Sequence, residues 1–228
     1  MVIKKIRFKG GEFMRVPNHI GIIPDGNRRW ANNKGMEKQC GYKFGLNPGL
    51  ILFRLCKAVG INEITYYGFT TDNNKRPKVQ RQSFTKACVE AVEMLCNEDA
   101  SLLVVGNTES SMFPKELLPY TKERKVFKKG GIKVNFLVNY GWEWDLQALE
   151  NNKLSSRNKI NKHIKSTDIS RVDLIIRWGG RRRLSGFLPI QSVYSDFYII
   201  EDYWPDFKSE HLYEALEWYD KQDITLGG

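Results

Sequence analysis

Apolar runs that change period along the chain lay out its elements. Ile20 to Ile23 is a short continuous apolar stretch that predicts a buried strand, and it breaks at Pro24-Asp25-Gly26, where proline cannot extend a ladder and glycine permits a sharp turn. Asn27 to Asn33 reads as the opening of a helix. Asn47-Pro48-Gly49 interrupts the pattern, and Leu50 to Val59 begins a helix apolar on most faces that Gly60 closes. Glu63 to Phe69 is rich in β-formers. From Gln80 to Cys96 the positions Phe84, Ala87, Cys88, Ala91, Val92, Leu95 and Cys96 follow helical spacing. Leu102 to Val105, Lys133 to Val138 and Asp173 to Ile176 read as further strands. Asn139-Tyr140-Gly141 leads into a helix carrying Trp142, Trp144 and Leu146. Ser209 is placed to cap a last helix with Leu212, Ala215, Leu216 and Tyr219 on one face. Asn151 to Ser170 is polar, basic and weakly periodic, as a surface connection would be. Strand-like runs separated by helical patterns favour an α/β fold.

Composition narrows the class. With 228 residues, 41% of them hydrophobic, the chain has the material for one globular domain with a substantial core. It has no apolar run of membrane-spanning length and no signal-peptide pattern, so a cytoplasmic location is expected. Residues 1–14 are a basic N-terminal extension, native or added, to which no role is assigned; residues 15–228 form the expected domain. Cys40, Cys56, Cys88 and Cys96 lack metal-ligand spacing and are expected as reduced core thiols, and three scattered histidines make a zinc site a poor reading. The formal charge of +10 suits nucleic acid, an anionic membrane surface or a diphosphate, and cannot choose among them.

The candidate chemistry sits where the first strand ends. Gly26, Asn27, Arg28 and Arg29 bring backbone donors, an amide and two guanidiniums to one point, an anion site that also holds the Asp25 carboxylate. A lone carboxylate beside phosphate donors makes sense when Mg²⁺ lies between them, so Asp25 is a candidate metal ligand facing a diphosphate. Spacing alone equally admits an N-capping Asp with solvent-facing arginines. A second block runs from Asp173 through Arg177-Trp178-Gly179-Gly180-Arg181-Arg182-Arg183-Leu184-Ser185-Gly186-Phe187, and on through Tyr194 and Asp196 to Trp204-Pro205-Asp206-Phe207. By itself the Arg181-Arg182-Arg183 run reads as a solvated basic stretch or a nucleic-acid patch.

Together the two blocks, His19 to Ala31 and Asp173 to Phe207, resemble the first and last signatures of the cis-prenyltransferases, the undecaprenyl diphosphate synthase family. The resemblance implies a largely parallel sheet flanked by helices, an elongated apolar tunnel walled by the Leu50 and Gln80 helices, a homodimer, Mg²⁺ as cofactor and prenyl diphosphates as substrates, with no nucleic acid. It implies that Asp25 and Asn27 are catalytic. Gly26, Asn27, Arg28, Arg29, Lys38, Thr70, Asn73 and Arg76 would bind the allylic diphosphate. Arg177, Arg183 and Ser185 would bind the acceptor diphosphate, equipment suited to clamping it. Asp25 would hold the metal with Asp196, the latter reaching it from a neighbouring subunit. Peripheral membrane contact is compatible with lipid products, although no amphipathic anchor stands out.

Several positions depart from the family pattern. Arg181 replaces a common glutamate, Lys38 an arginine, Tyr42 a histidine, Asn74 a tryptophan and Gln80 a glutamate; Pro189-Ile190 replaces Leu-Trp, and Thr225-Leu226-Gly227 lacks the terminal arginine. Members that make irregular, branched products also lose that glutamate and carry a similarly placed proline. The expectation is therefore a short-chain or irregular member that uses dimethylallyl diphosphate as acceptor. The regular head-to-tail synthase using isopentenyl diphosphate, and a non-catalytic partner subunit of a heteromeric enzyme, are the alternatives.

Overall fold

The computed structural model describes residues 5–7, 13–149 and 156–223. In chain order the elements are β1 (Lys5–Arg7), β2 (Phe13–Arg15), β3 (His19–Ile23), α1 (Asn27–Asn33), α2 (Gly41–Phe44), α3 (Leu46–Ala58), β4 (Glu63–Tyr67), α4 (Lys78–Cys96), β5 (Ala100–Val105), β6 (Lys125–Val126), β7 (Ile132–Leu137), α5 (Trp142–Leu146), α6 (Arg157–His163), β8 (Leu174–Arg177), β9 (Asp196–Ile199) and α7 (Ser209–Asp220). Seven strands form one sheet in the order β6-β5-β7-β4-β3-β8-β9, parallel throughout except for β6 against β5. β1 and β2 make a separate antiparallel pair.

Strand β3 lies inside the sheet between β4 and β8, and every one of its residues is buried. Its apolar side chains divide between two cores, as befits a parallel strand covered on both faces. Ile20 and Ile22 join the larger core with Leu52, Phe53 and Cys56 of α3, Cys88, Val92 and Leu95 of α4, and Leu212, Ala215 and Leu216 of α7. Ile23 points the other way, into a core with Tyr67, Leu137, Ile175 and Phe187. The chain leaves β3 for β4 on one side and returns to β8 on the other. That reversal is the switch point at which open α/β sheets hold ligands, beyond the carboxyl ends of the strands.

Three points differ from the sequence reading. Helix α3 starts at Leu46 and runs through Asn47-Pro48-Gly49, because Pro48 falls in the first turn, where an N–H has no helical partner to lose. Ser209 makes no side-chain cap; the ring of His211 instead accepts from the Lys208 backbone N–H at 3.2 Å. Cys40 is exposed rather than a core thiol, while Cys56 and Cys88 are buried as expected, the thiol of Cys88 pushed up to about 12 by burial. Most of the N-terminal extension, residues 151–155 of the polar connection and Thr225-Leu226-Gly227 lie outside the described residues.

The second core carries one buried carboxylate that joins three segments. Asp145 accepts from the Tyr140 hydroxyl at 2.6 Å and from the backbone N–H and hydroxyl of Ser166, both at 2.7 Å. Asp145→Ala leaves those donors without a partner away from water, and is expected to destabilise the protein by about 3 kcal/mol in urea unfolding. A loss below about 1 kcal/mol would mean that the network is not the brace described here.

Candidate active site

The site grows from the ends of β3 and β8, which pair so that Arg177 lies beside Ile23. After Ile23 the chain turns through Pro24-Asp25-Gly26, and Gly26 has φ of 102°, a conformation costly for a residue with a side chain. A Cβ there would also meet the Tyr203 ring at 2.6 Å. The turn aims the Asp25 carboxylate at Arg177, whose Nη2 donates to Oδ2 at 2.8 Å; Arg29 lies 3.6 Å from Oδ1, and the Gly26 N–H donates to Oδ1 at 2.6 Å. No side chain caps α1, so the capping-Asp alternative does not describe this turn. Burial pushes the Asp25 carboxyl up, but the hydrogen bond and charge of Arg177, the charge of Arg29 and the Gly26 N–H outweigh it and hold the group below its ordinary value.

Arg177 is itself buried and joins two loops. Besides Asp25 it donates to the Ser185 hydroxyl at 3.0 Å and to the Arg183 carbonyl. The loop it holds bends sharply, with positive φ at Gly179, Gly180, Ser185, Gly186 and Leu188. The Tyr67 hydroxyl donates to the Ser185 carbonyl at 2.8 Å and fixes it from the opposite side. Arg182 turns outward to Glu201 at 2.6 Å, while Arg181 and Arg183 line the cleft.

A third loop closes the wall. Thr70 and Asn73 tie it together, the Thr70 N–H donating to Asn73 Oδ1 at 3.1 Å, and Arg76 donates to the Tyr42 hydroxyl at 3.0 Å. Every candidate diphosphate-binding residue, namely Gly26, Asn27, Arg28, Arg29, Lys38, Thr70, Asn73, Arg76, Arg177, Arg183 and Ser185, lines one cleft of about 740 Å³ with Asp25. Its charged lining is Arg28, Arg29, Lys38, Arg76, Arg177, Arg181 and Arg183 against Asp25 and Asp72. So one-sided a lining selects a multiply charged anion. Arg28 reaches the neutral amide of Gln80 at 3.4 Å, so the glutamine in place of a glutamate leaves its charge for the cleft.

Beneath the cleft lies an apolar cavity of about 80 Å³ between α3, α4 and the sheet. Leu46, Gly49 and Leu50 line it from α3, Phe84, Ala87, Cys88, Ala91, Met94 and Leu95 from α4, and Tyr66 and Phe136 from the strands. The expected walls are present, and the lining follows α4 from Phe84 to Leu95, although the open space between the walls is small. Tyr42 stacks on Phe84 at 4.4 Å and Tyr66 tilts against Phe136 at 5.9 Å, so rings occupy much of the volume.

Asp196 is not part of this cleft. It opens β9 opposite Leu174, at the other end of the strands from Arg177, where burial pushes its carboxyl up beside Arg15, Arg171 and Asp173. Within one chain it does not meet Asp25. Among the described residues no group of three acidic, His or Cys side chains is placed to hold a metal. Mg²⁺ does not need one, since it keeps several waters and takes one or two carboxylates with substrate phosphates. Asp25, held ionised at the cleft, fits that demand, and the buried Asn27 Oδ1, which has no partner among the described residues, is a further oxygen two residues along the same turn. The Asn27 amide N–H donates to the Pro24 carbonyl at 2.8 Å and so keeps that oxygen turned inward.

Residues 23–227 match the prenyltransferase family described as undecaprenyl diphosphate synthase. The chain belongs to this family. It is a cis-prenyltransferase, 30% identical to a ditrans,polycis-undecaprenyl-diphosphate synthase, (2E,6E)-farnesyl-diphosphate specific, of Vibrio parahaemolyticus over 93% of this chain and 91% of that protein. An isoprenyl transferase of Listeria monocytogenes is 31% identical over 95% and 92% of the two chains. The crystal structure of lavandulyl diphosphate synthase from Lavandula x intermedia in complex with dimethylallyl diphosphate superposes with a TM-score of 0.81 over 93% of this chain and 98% of that chain, at 23% identity. The prenyltransferase thus has the family's α/β architecture, and among its described residues no helix is long and apolar enough to cross a membrane. Cleft residues given no site role by the sequence reading include Tyr67, Asp72, Phe84 and Tyr203, whose ring lies 5.0 Å from the Arg29 guanidinium. Asp72 had a nearby signal between Thr70 and Asn73, and Tyr203 had one next to the Trp204-Pro205-Asp206-Phe207 block.

Proposed function

We propose that this prenyltransferase joins an allylic prenyl diphosphate to a second five-carbon isoprenoid diphosphate with release of diphosphate, and that its product is short or irregular. The observation that supports this most directly is the pairing of a cationic cleft with a small apolar cavity at its base. In this reading the donor diphosphate lies against Gly26, Asn27, Arg28, Arg29, Lys38, Thr70, Asn73 and Arg76, and its tail enters the cavity. The acceptor diphosphate lies against Arg177, Arg183 and Ser185. Asp25, with Asp196 of a second copy, would hold Mg²⁺, which supplies positive charge to a departing diphosphate when bound. A homodimer is part of the proposal, because Asp196 lies far from Asp25 in its own chain.

The bond between the donor's first carbon and its diphosphate oxygen breaks, and the electron pair leaves with the diphosphate. Arg28, Arg29 and Arg76 stabilise that charge as it develops, in a site already arranged for it. The acceptor's double bond supplies the pair for the new carbon–carbon bond, and Arg177, Arg183 and Ser185 hold it in line, which replaces a bimolecular encounter. A proton then leaves the neighbouring carbon for a diphosphate oxygen, the most basic group present. Asn27 orients reactants, since an amide is a poor base. Arg181 adds a cation on the acceptor side. The regular head-to-tail reaction with isopentenyl diphosphate is the second reading, supported by the Vibrio parahaemolyticus relative. Contact with a membrane surface and a cytoplasmic location accompany either reading.

The test is product identification by mass spectrometry and NMR after incubation with Mg²⁺ and dimethylallyl, geranyl, farnesyl or geranylgeranyl diphosphate, with and without isopentenyl diphosphate. A branched product from allylic diphosphates alone is expected. Product formed solely with isopentenyl diphosphate establishes the second reading, and none under either condition establishes the partner-subunit alternative.

A further inference from the structure

Six residues line both the cationic cleft and the apolar cavity: Pro24, Asn27, Tyr42, Tyr67, Gly68 and Phe84. They form the throat through which any tail must pass. Two of them are flat rings laid against each other, Tyr42 from α2 and Phe84 from α4, with centroids 4.4 Å apart and planes within 3°. Phe69 backs Phe84 edge-on at 5.4 Å, so the ring does not withdraw without disturbing a fully buried neighbour. The Tyr42 hydroxyl accepts from Arg76 at 3.0 Å, and the Arg76 guanidinium lies 5.4 Å from the Phe84 ring. The same two rings therefore narrow the passage and brace a cation of the cleft.

We infer that the Tyr42–Phe84 stack is the specificity-determining element for donor length, admitting a five-carbon tail and disfavouring longer ones, with Tyr42 linking the throat to the Arg76 contact on the diphosphate. This rests on the prenyltransfer reading given above. A single water needs about 10–15 Å³ of such space, so the cavity's 80 Å³ is small. A five-carbon tail makes the smaller demand on it, and a longer tail presses on the rings at its mouth. Moving Tyr42 breaks its hydrogen bond to Arg76, so an overlong tail weakens the hold on its own diphosphate. Removing the Phe84 ring joins its volume to the cavity without touching that hydrogen bond.

The experiment compares wild type, Phe84→Ala and Tyr42→Phe in two measurements. The first is kcat/KM with dimethylallyl, geranyl and farnesyl diphosphate as donors; the second is calorimetric affinity for the same three and for inorganic diphosphate, with Mg²⁺ present. Wild type is expected to prefer the five-carbon donor by about tenfold or more, a discrimination within reach of a tight apolar pocket. Phe84→Ala is expected to raise geranyl relative to dimethylallyl diphosphate by about tenfold, a change in ratio that loss of the Arg76 brace, common to all donors, does not produce. Tyr42→Phe is expected to keep the length preference and weaken inorganic diphosphate by about fivefold, the loss of one hydrogen bond. Equal use of all three donors by wild type, or a common loss for all of them in Phe84→Ala, overturns the inference. Where inorganic diphosphate binds and nothing is turned over, the reaction has failed as a reading, and the order of affinities with tail length still decides the throat. Absence of binding by every diphosphate overturns both.

Discussion

Asp25→Asn is expected to lower kcat/KM by about a thousandfold or more while the protein stays folded, a loss of the size seen when a site loses one charge-stabilising group. The amide has one oxygen in place of two, so it keeps the contact from Arg177 or from the Gly26 N–H but not both, and the negative charge that would face Mg²⁺ is gone. Steady-state kinetics across a Mg²⁺ titration measures the loss, and unchanged Mg²⁺-dependent activity would refute the metal role of Asp25. The same variant reports on acid stability. Because the folded pKa of Asp25 lies below its ordinary value of 3.8, its stabilising contribution is complete above that value and disappears as pH falls through the lower folded pKa. The variant should therefore lose less stability than wild type as the pH drops below about 4.

Arg177→Lys is the second large effect, and charge conservation does not protect against it. A guanidinium reaches Asp25, Ser185 and the Arg183 carbonyl together from a buried position, and a single ammonium cannot span that fork. We expect kcat/KM to fall by about a hundredfold to a thousandfold. Stability should fall by about 2 kcal/mol, seen as a drop in Tm of about 4–8 °C. In the double variant with Asp25→Asn the kinetic losses should overlap rather than add, because the two side chains act as one unit. Independent, additive losses would show that Arg177 serves the acceptor side without organising Asp25.

The centre of the molecule was legible because parallel strands buried on both faces leave continuous apolar runs, as Ile20 to Ile23 and Leu174 to Ile176 do. Strand β9 left no such trace, since all four of its residues are half-exposed at the sheet edge. The start of α3 was obscured by reading Pro48 as a breaker, when in a first turn it has no hydrogen bond to lose. In the site, Asp25, Arg29, Arg177 and Ser185 were marked by residue type and spacing, and the fold brings them together. Phe84 was hidden because a ring at helical spacing looks the same whether it fills a core or narrows a throat. Which end of its strand Asp196 occupies was not legible, because a motif gives order along the sequence and not position along a strand.

The charged and apolar halves of the site are supplied by different kinds of element. Loops at the strand ends provide the carboxylate and guanidiniums, whereas most of the cavity wall comes from α3 and α4. Bond making is thereby written in one set of segments and product size largely in another, touching at the few residues between them. A lineage built on this plan can drift through the helices toward longer or shorter products while its chemistry stays intact, which makes the family readily diversified by small steps.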